Sequence, residues 1–527
     1  MAVPVVDLFA GPGGLGEGFS QVDWKEANPF YRIALSVEKN PDAHKTLKLR
    51  SFFRQFPYDE VPDEYYEFLK QGQDSESLFA LDKYKEQAKA ANEEALCGEL
   101  GDPEDSEIDL KLDKAIEEKL KGSSSWVLIG GPPCQAYSLV GRSRRSRDKE
   151  YIPEQDNRHF LYQEYLRIIA RHRPSVFVME NVKGMLSAKV NDSRIFDKIK
   201  SDLGNPSNIY PQYDSDKPHE YRIFSLVKPP LGYEFDGTPK YQRNEDFIIK
   251  SEHFGIPQTR HRVILLGVRK DLCDGPSSPG ILERQTRVRV RDVLDYGLPR
   301  IRSGISRNKD TKEGWRNAIA SFPFNEVGQE IADIDGRVLK RIQDCCNKIV
   351  MPLKGMGDEY IPYTTKKVMK DLGAWYIDDR LQGVLNHSSK THMISDLHRY
   401  LFFSCYAEVL GISPTMRDFP EGLQPDHKNK DSGKFNDRFR VQVADLPATT
   451  ITSHIAKDGH YYIHYDPEQC RSLTVREAAR LQTFPDNYFF CGPRTEQYTQ
   501  VGNAVPPLLA TQVAKIVRNF LVSRPDI

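Results

Sequence analysis

Val3-Pro-Val-Val-Asp-Leu-Phe-Ala-Gly-Pro-Gly-Gly-Leu-Gly16 is the stretch that decides the fold. Its first half is a short apolar run of the kind that fills a buried parallel strand. Its second half sets Gly11, Gly13 and Gly16 in the spacing Gly-x-Gly-x-x-Gly. That spacing permits a tight turn, lets a ligand approach the backbone and leads into a helix. Working outward, residues 33–37 read as a second strand closed by Glu38, where a Rossmann-type fold places its ribose-binding acid. Residues 126–129 and 175–179 are further strands, the latter ending at Glu180, with an amphipathic helix over 159–170 between them. Residues 248–249 and 263–268 are strand-like and flank 258–262. Strands alternating with helices predict an α/β, doubly wound sheet.

The rhythm is interrupted twice. Residues 57–120 are polar and read as a mostly helical insertion, and residues 292–450 lack βαβ periodicity and read as a smaller, irregular second domain. Regularity returns at Thr474, whose Glu477 three residues on makes a capping box. A last helix is expected over about 507–521. The expected organisation is therefore a domain over 1–291 carrying the insertion, a second domain over 292–450, and a segment over 451–527 that returns to the first.

Composition narrows the class. With 39% hydrophobic and 28% charged residues, the 527-residue chain suits a globular protein with a real core. No apolar run approaches the roughly 18–20 residues of a membrane helix, and the first residues enter a strand with no signal-peptide pattern. A cytoplasmic, nucleoid-associated protein is expected. The eight cysteines form no Cys-x-x-Cys pair, which argues against a zinc or redox site, so no metal is expected. Seventy-four basic residues against 75 acidic give a net charge of −1, but nucleic-acid binding needs only a local basic surface. Arg142, Arg144, Arg145 and Arg147 supply one, and Arg284, Arg287, Arg289 and Arg291 another.

Four constellations carry chemistry. The glycine turn with Glu38 suits NAD, FAD or S-adenosylmethionine. Cys134, in Gly130-Gly-Pro-Pro-Cys-Gln135, follows a strand end where doubly wound sheets bind ligands, and its basic neighbours favour thiolate. Glu180, in Met179-Glu-Asn-Val182, is a carboxylate at a strand's C-terminal end. Arg260 and Arg262, in Gln258-Thr-Arg-His-Arg262, sit at i and i+2 and would share a strand face, so that both could hold one anionic or carbonyl-rich target. On physics alone, Arg471–Asp486 is a capped helix and Val501-Gly-Asn-Ala-Val-Pro-Pro507 a loop entering another, both structural.

In this order, the glycine loop, Pro-Cys-Gln, Glu-Asn-Val, Gln-x-Arg-x-Arg, the Thr-Val-Arg-Glu-Ala-Ala-Arg-Leu-Gln helix and Gly-Asn-x-Val resemble the motif set of the DNA (cytosine-5-)-methyltransferases, in the compact layout of prokaryotic restriction-modification enzymes. The resemblance implies that Phe9, Ala10, Gly11, Gly13, Gly14, Gly16 and Glu38 hold S-adenosylmethionine. It implies that Pro132 and Leu161 line that pocket and that Asn503, Ala504 and Val505 close it. Cys134 becomes the nucleophile that attacks carbon 6 of a flipped cytosine, with Glu180 at ring N3, Arg262 at the carbonyl oxygen and Arg260 bracing Glu180 or the loop. Gln135, Ser138, Arg142, Arg144, Arg145, Arg147 and Thr450 would touch double-stranded DNA, and residues 292–450 would read its sequence. Lys39 stands where the family often has an aromatic, and the insertion obscures the acid that would contact the cofactor's adenine. A monomer, functionally paired with a restriction endonuclease, is expected. An RNA cytosine methyltransferase, a catalytically inactive DNA-binding regulator and a nucleotide-dependent oxidoreductase are the competing readings.

Overall fold

A computed structural model of the chain describes residues 2–26, 28–72, 75–102, 107–133, 161–190, 193–213, 219–273, 278–307, 309–363, 372–425 and 439–524, with the side chains of 189–194 left out. In chain order the sheet and its coverings are β1 (Val3–Leu8), α1 (Gly14–Ser20), β2 (Tyr31–Glu38), α2 (Pro41–Arg54), β3 (Ala95–Cys97), β4 (Val127–Gly130), α3 (Leu161–His172), β5 (Val176–Val182), β6 (Tyr221–Ser225), β7 (Ile248–Lys250) and β8 (His261–Arg269). Much later come α4 (Val475–Leu481), α5 (Arg494–Asn503) and α6 (Pro507–Val522). The eight strands form one sheet in the order β7-β8-β5-β4-β1-β2-β3, with β6 also paired to β8. Strands β3, β2, β1, β4 and β5 are parallel, and β8 runs antiparallel to β5. The order reverses at β1, so the crevice at the carboxyl ends of β1 and β4 is the topological switch point, where such sheets bind ligands.

The two faces follow from the two-residue period of the strands. Val5, Val127, Ile129, Val178 and Ile264 face one core, covered by α1 and α6. Val6, Leu128, Phe177, Met179 and Leu265 face the other, covered by α3 and helices Glu107–Lys119 and Ile195–Gly204. Helix α6 lies so close on α1 that a Cβ on Gly18 would stand 2.3 Å from Ala510 Cβ, and in the segment before α6 the Val505 carbonyl oxygen would stand 2.2 Å from a Cβ on Gly14.

The interruptions differ from expectation in detail. The insertion is helical, but β3 inside it forms the edge of the sheet. Its helix Asp63–Gln71 packs with Phe52, Phe53, Leu381 and Leu385. The region expected to be irregular carries the long helices Phe324–Lys348 and Ile394–Leu410 around an aromatic core. The first is kinked at Asp335, which takes an extended conformation, and the second is buried on most of its sides. The first carries an apolar stripe at helical spacing, Val327, Ile331, Val338, Ile342 and Cys345, whereas the second has apolar side chains on most of its faces and shows no such stripe. Among the described residues no helix is long and apolar enough to cross a membrane.

Candidate functional site

Strand register brings the nominated residues to one edge. Leu8 pairs with both Val37 and Gly130, and Gly130 pairs with Met179. The next residue on each strand is Phe9, Glu38, Gly131 and Glu180, so these four stand side by side at the carboxyl edge.

The turn after β1 is built from its glycines. Gly11 and Gly13 have φ of +58° and +92°, the left-handed region that a Cβ disfavours. The turn closes by Gly13 N donating to the Ala10 carbonyl over 2.9 Å, and it is tied to the sheet by Ala10 N donating to the Val37 carbonyl over 3.0 Å. Glu38 holds it from β2, its Oε2 accepting from Gly11 N and its Oε1 from Asn40 N, each at 2.8 Å. Each carboxylate oxygen keeps a second lone-pair site for a ligand hydroxyl. A Cβ on Gly11 would meet nothing within 4 Å, so the turn faces open space. Gly14 and Gly16 serve packing: Gly14 admits Val505, and Gly16 lies against Asp7, whose Oδ2 accepts from Gly16 N at 3.2 Å.

Asp7 was not singled out by the sequence. Its carboxyl is 1% exposed, and Oδ1 is buried with no hydrogen-bond partner. Burial pushes its pKa up to about 8, opposed by the Gly16 amide and Arg54 and reinforced by the Glu38 charge.

Beside this turn lies the acid–base half of the edge. Arg262 Nε lies 2.9 Å from Glu180 Oε1, both side chains being mostly buried. The angle is poor for a hydrogen bond, so that oxygen has no such partner in the structure. The β4 loop runs against the same carboxylate: a Cβ on Gly131 would come 3.2 Å from Glu180 Oε2, and Pro132 accepts through its carbonyl from Asn181 Nδ2 at 3.4 Å. Cys134, Gln135, Ser138, Arg142, Arg144, Arg145 and Arg147 lie outside the described residues.

The two arginines do not share a target, contrary to expectation. Arg260 precedes β8, and its guanidinium turns inward, 1% exposed, donating to the carbonyls of Ile451 (2.8 Å), Gly502 (3.2 Å) and Asn503 (3.5 Å). It braces the Ile451 segment and the C-terminal end of α5 rather than Glu180. Burial, with the neighbouring Arg262 cation, pushes its pKa down to about 9. Thr450 Oγ1 donates to the Thr259 carbonyl at 2.7 Å, which ties that loop to the same segment. Gln258, overlooked as a site residue, completes the knot. Its Nε2 donates to Gln482 Oε1 at 2.6 Å, and its Oε1 accepts from Ile451 N at 3.1 Å.

The remaining nominated residues frame the crevice. Leu161 opens α3 and is half-buried, Asn503 ends α5 and is exposed, and the Ala504 and Val505 side chains are in the core, with the Val505 backbone against Gly14. A cavity of about 760 Å³ lies elsewhere, between helix Ile195–Gly204, β6 and Pro239–Asn244, and none of the nominated residues lines it. Among the described residues no group of three or more His, Cys, Asp or Glu side chains is placed to hold a metal ion.

The glycine turn with its acid thus stands at a switch point shared with a Glu–Arg pair. The family model for C-5 cytosine-specific DNA methylase matches residues 91–206 and 241–519, and the chain belongs to that family. It is 32% identical to type II methyltransferase M.Bpa9945I of Bacillus paralicheniformis, over 98% of this chain and 99% of that one. It is 27% identical to DNA (cytosine-5-)-methyltransferase M.ApeKI of Aeropyrum pernix over 76% of this chain and 83% of that one, and 24% identical to type II methyltransferase M.AgeI of Thalassovita gelatinovora over 97% and 98%.

Proposed function

We propose that the protein transfers a methyl group from S-adenosylmethionine to carbon 5 of a cytosine flipped out of a specific double-stranded DNA sequence, as the modifying half of a restriction-modification system. The observation that carries this reading is the juxtaposition at one sheet edge: the Glu180–Arg262 pair and the Gly131 backbone stand beside the Gly11 turn and Glu38.

The residues fit the cofactor. The open face of Gly11 and the free lone pairs of Glu38 suit a nucleoside with vicinal hydroxyls, Phe9, Ala10, Gly13, Pro132 and Leu161 would flank it, and the backbone of Asn503–Val505 would close over it. When bound, it supplies an electrophilic methyl group. Carbon 5 of cytosine is a weak nucleophile, and the chain's own residues correct this. The Cys134 thiolate adds to carbon 6, forming a C–S bond and leaving carbon 5 enamine-like. The charge that moves toward N3 and the carbonyl oxygen is met by a proton held on Glu180 at N3 and by the Arg262 guanidinium at the oxygen. After methylation the carbon 5 proton passes to solvent, the carbon 5–carbon 6 double bond re-forms as the thiolate is expelled, and the N3 proton returns to Glu180. Flipping the base costs a few kcal/mol, which phosphate contacts from Arg142, Arg144, Arg145 and Arg147 would offset. Residues 292–450 would read the sequence, with Thr450 near the backbone. The proposed enzyme is a monomer, functionally paired with an endonuclease that need not be bound to it.

Bisulfite sequencing of DNA from cells expressing the protein tests activity and target together. Protected cytosines in one short recurring sequence are expected. Cys134→Ala should abolish methylation while leaving cofactor affinity intact, and methylation persisting in that variant would remove the nucleophile assignment. Label transferred to tRNA and not to DNA would instead select the RNA methyltransferase reading.

A further inference from the structure

We propose that Tyr488 is a positioning residue for the cofactor turn, an inference that rests on the reading of the Gly11 turn as the S-adenosylmethionine site. Tyr488 follows α4 in the stretch Phe484-Pro-Asp-Asn-Tyr488 and is 1% exposed. Its hydroxyl crosses from the C-terminal part of the chain to donate to the carbonyl of Pro12, the residue between the two left-handed glycines. A Cβ on Gly13 would come within 3.1 Å of that hydroxyl.

The tyrosine is itself held on every side. Its carbonyl accepts from Arg476 Nη2 at 2.5 Å, and its ring stacks at an angle on Phe484 and Phe490 with centroids 4.8 and 5.5 Å away. The Arg50 guanidinium lies 4.9 Å from the ring centroid. The preceding residue is fixed too. Asn487 Oδ1 accepts from Arg50 Nη1 at 3.2 Å, and its Nδ2 donates to Asp378 Oδ2 at 2.7 Å. Arg50 in turn grips Glu17 of α1, at 2.6 and 2.9 Å.

A turn with two left-handed glycines has many alternatives open to it. Glu38 of β2 anchors Gly11, and Tyr488 anchors the Pro12–Gly13 peptide. With that carbonyl pinned outward, the Gly13 amide stays turned toward Ala10 and the turn keeps its shape before ligand arrives. Removing the hydroxyl leaves a buried carbonyl without its donor and lets the turn sample other shapes. The cofactor must then select the competent one, and its apparent affinity falls by the fraction lost.

The test is Tyr488→Phe in the full chain, with S-adenosylmethionine affinity measured by calorimetric titration. One hydrogen bond corresponds to a Kd about three- to tenfold weaker. KM for the cofactor should rise by the same factor, while kcat at saturating cofactor and DNA affinity stay unchanged. Tyr498→Phe is the control: its buried hydroxyl donates to the Leu473 carbonyl at 2.7 Å, away from the turn, and its loss should lower Tm without moving cofactor Kd. An unchanged Kd in Tyr488→Phe overturns the proposal. Failure of the wild-type protein to bind S-adenosylmethionine overturns the reading of the turn instead. If Tyr488→Phe does not fold, amide hydrogen exchange of the wild-type protein decides: protection of the Gly13 amide without cofactor is expected, and exchange there that only bound S-adenosylmethionine slows overturns the proposal.

Discussion

At the scale of single residues, the same side-chain type takes opposite roles within a few ångströms. Arg262 stays at the crevice beside Glu180, whereas Arg260, two positions earlier, is drawn into the interior by three backbone carbonyls. Its hydrogen bonds tie the Ile451 segment to the C-terminal end of α5. Asp7 makes a prediction about stability. Its pKa is near 8 in the folded protein and 3.8 in its ordinary state. Between those values the folded chain binds more proton than the unfolded chain, so stability falls as pH rises from about 4 to about 8 and is level above that. Asp7→Asn keeps the shape without the titration. Urea midpoints between pH 5 and pH 8.5 should therefore decline less steeply for this variant than for the wild type. Parallel declines would mean that Asp7 does not carry the proton.

At the scale of elements, packing decides which glycines matter. Gly18 takes no special φ, yet its missing side chain lets α6 sit on α1. Gly18→Ala overpacks that contact by a methyl group, which costs about 1–3 kcal/mol and should appear as a lowered Tm with a normal helical circular dichroism spectrum. An unshifted Tm would show that the two helices have room to separate. The elements most legible in the sequence were those whose period and end signals agree. β1, β2, β5 and the α4 capping box fall where the pattern put them, the box through Glu477 N on Thr474 Oγ1 at 3.1 Å and Thr474 N on Glu477 Oε2 at 2.8 Å. β3 was illegible because three residues at a sheet edge, partly exposed, carry no alternation. Helix Ile394–Leu410 was illegible because apolar side chains on most of its faces erase the period. In the site, Glu38, Glu180 and Arg262 were legible because Glu38 ends β2, Glu180 lies two residues from the end of β5 and Arg262 is the second residue of β8, where register converts sequence position into place. Asp7 stood in plain view inside the quoted motif, but its burial is a tertiary fact. Tyr488 had no local signal at all, since its partner is 476 residues away.

At the scale of the whole molecule, the insertion links regions that the sequence separates. Helix Asp63–Gln71 lies between the sheet domain and the second region. Tyr66 donates to Asp378 Oδ2 at 2.9 Å, and Arg380 reaches Asp63 at 2.6 Å with its guanidinium 4.6 Å from the Tyr66 ring. Asp378 Oδ2 also accepts from Asn487, which contacts Arg50 and, through it, Glu17 of α1, beside the Gly11–Gly13 turn. The Asp63–Arg380 pair is exposed and contributes little by itself. The strength lies in the buried tyrosine: truncation of a large aromatic core residue costs about 3–5 kcal/mol, and here it also strips Asp378 of a donor. If the insertion couples the two regions, Tyr66→Ala should split thermal unfolding observed by scanning calorimetry into two transitions, the earlier one belonging to the second region. A single transition that merely moves to lower temperature would mean that the regions are coupled elsewhere, through α4 and its buried arginines, and that the insertion only covers Phe52 and Phe53. The comparison is informative because α4 reaches the second region by its own route, Arg476 Nε donating to the Leu385 carbonyl at 2.7 Å. The two outcomes therefore distinguish between two connections that the structure shows side by side.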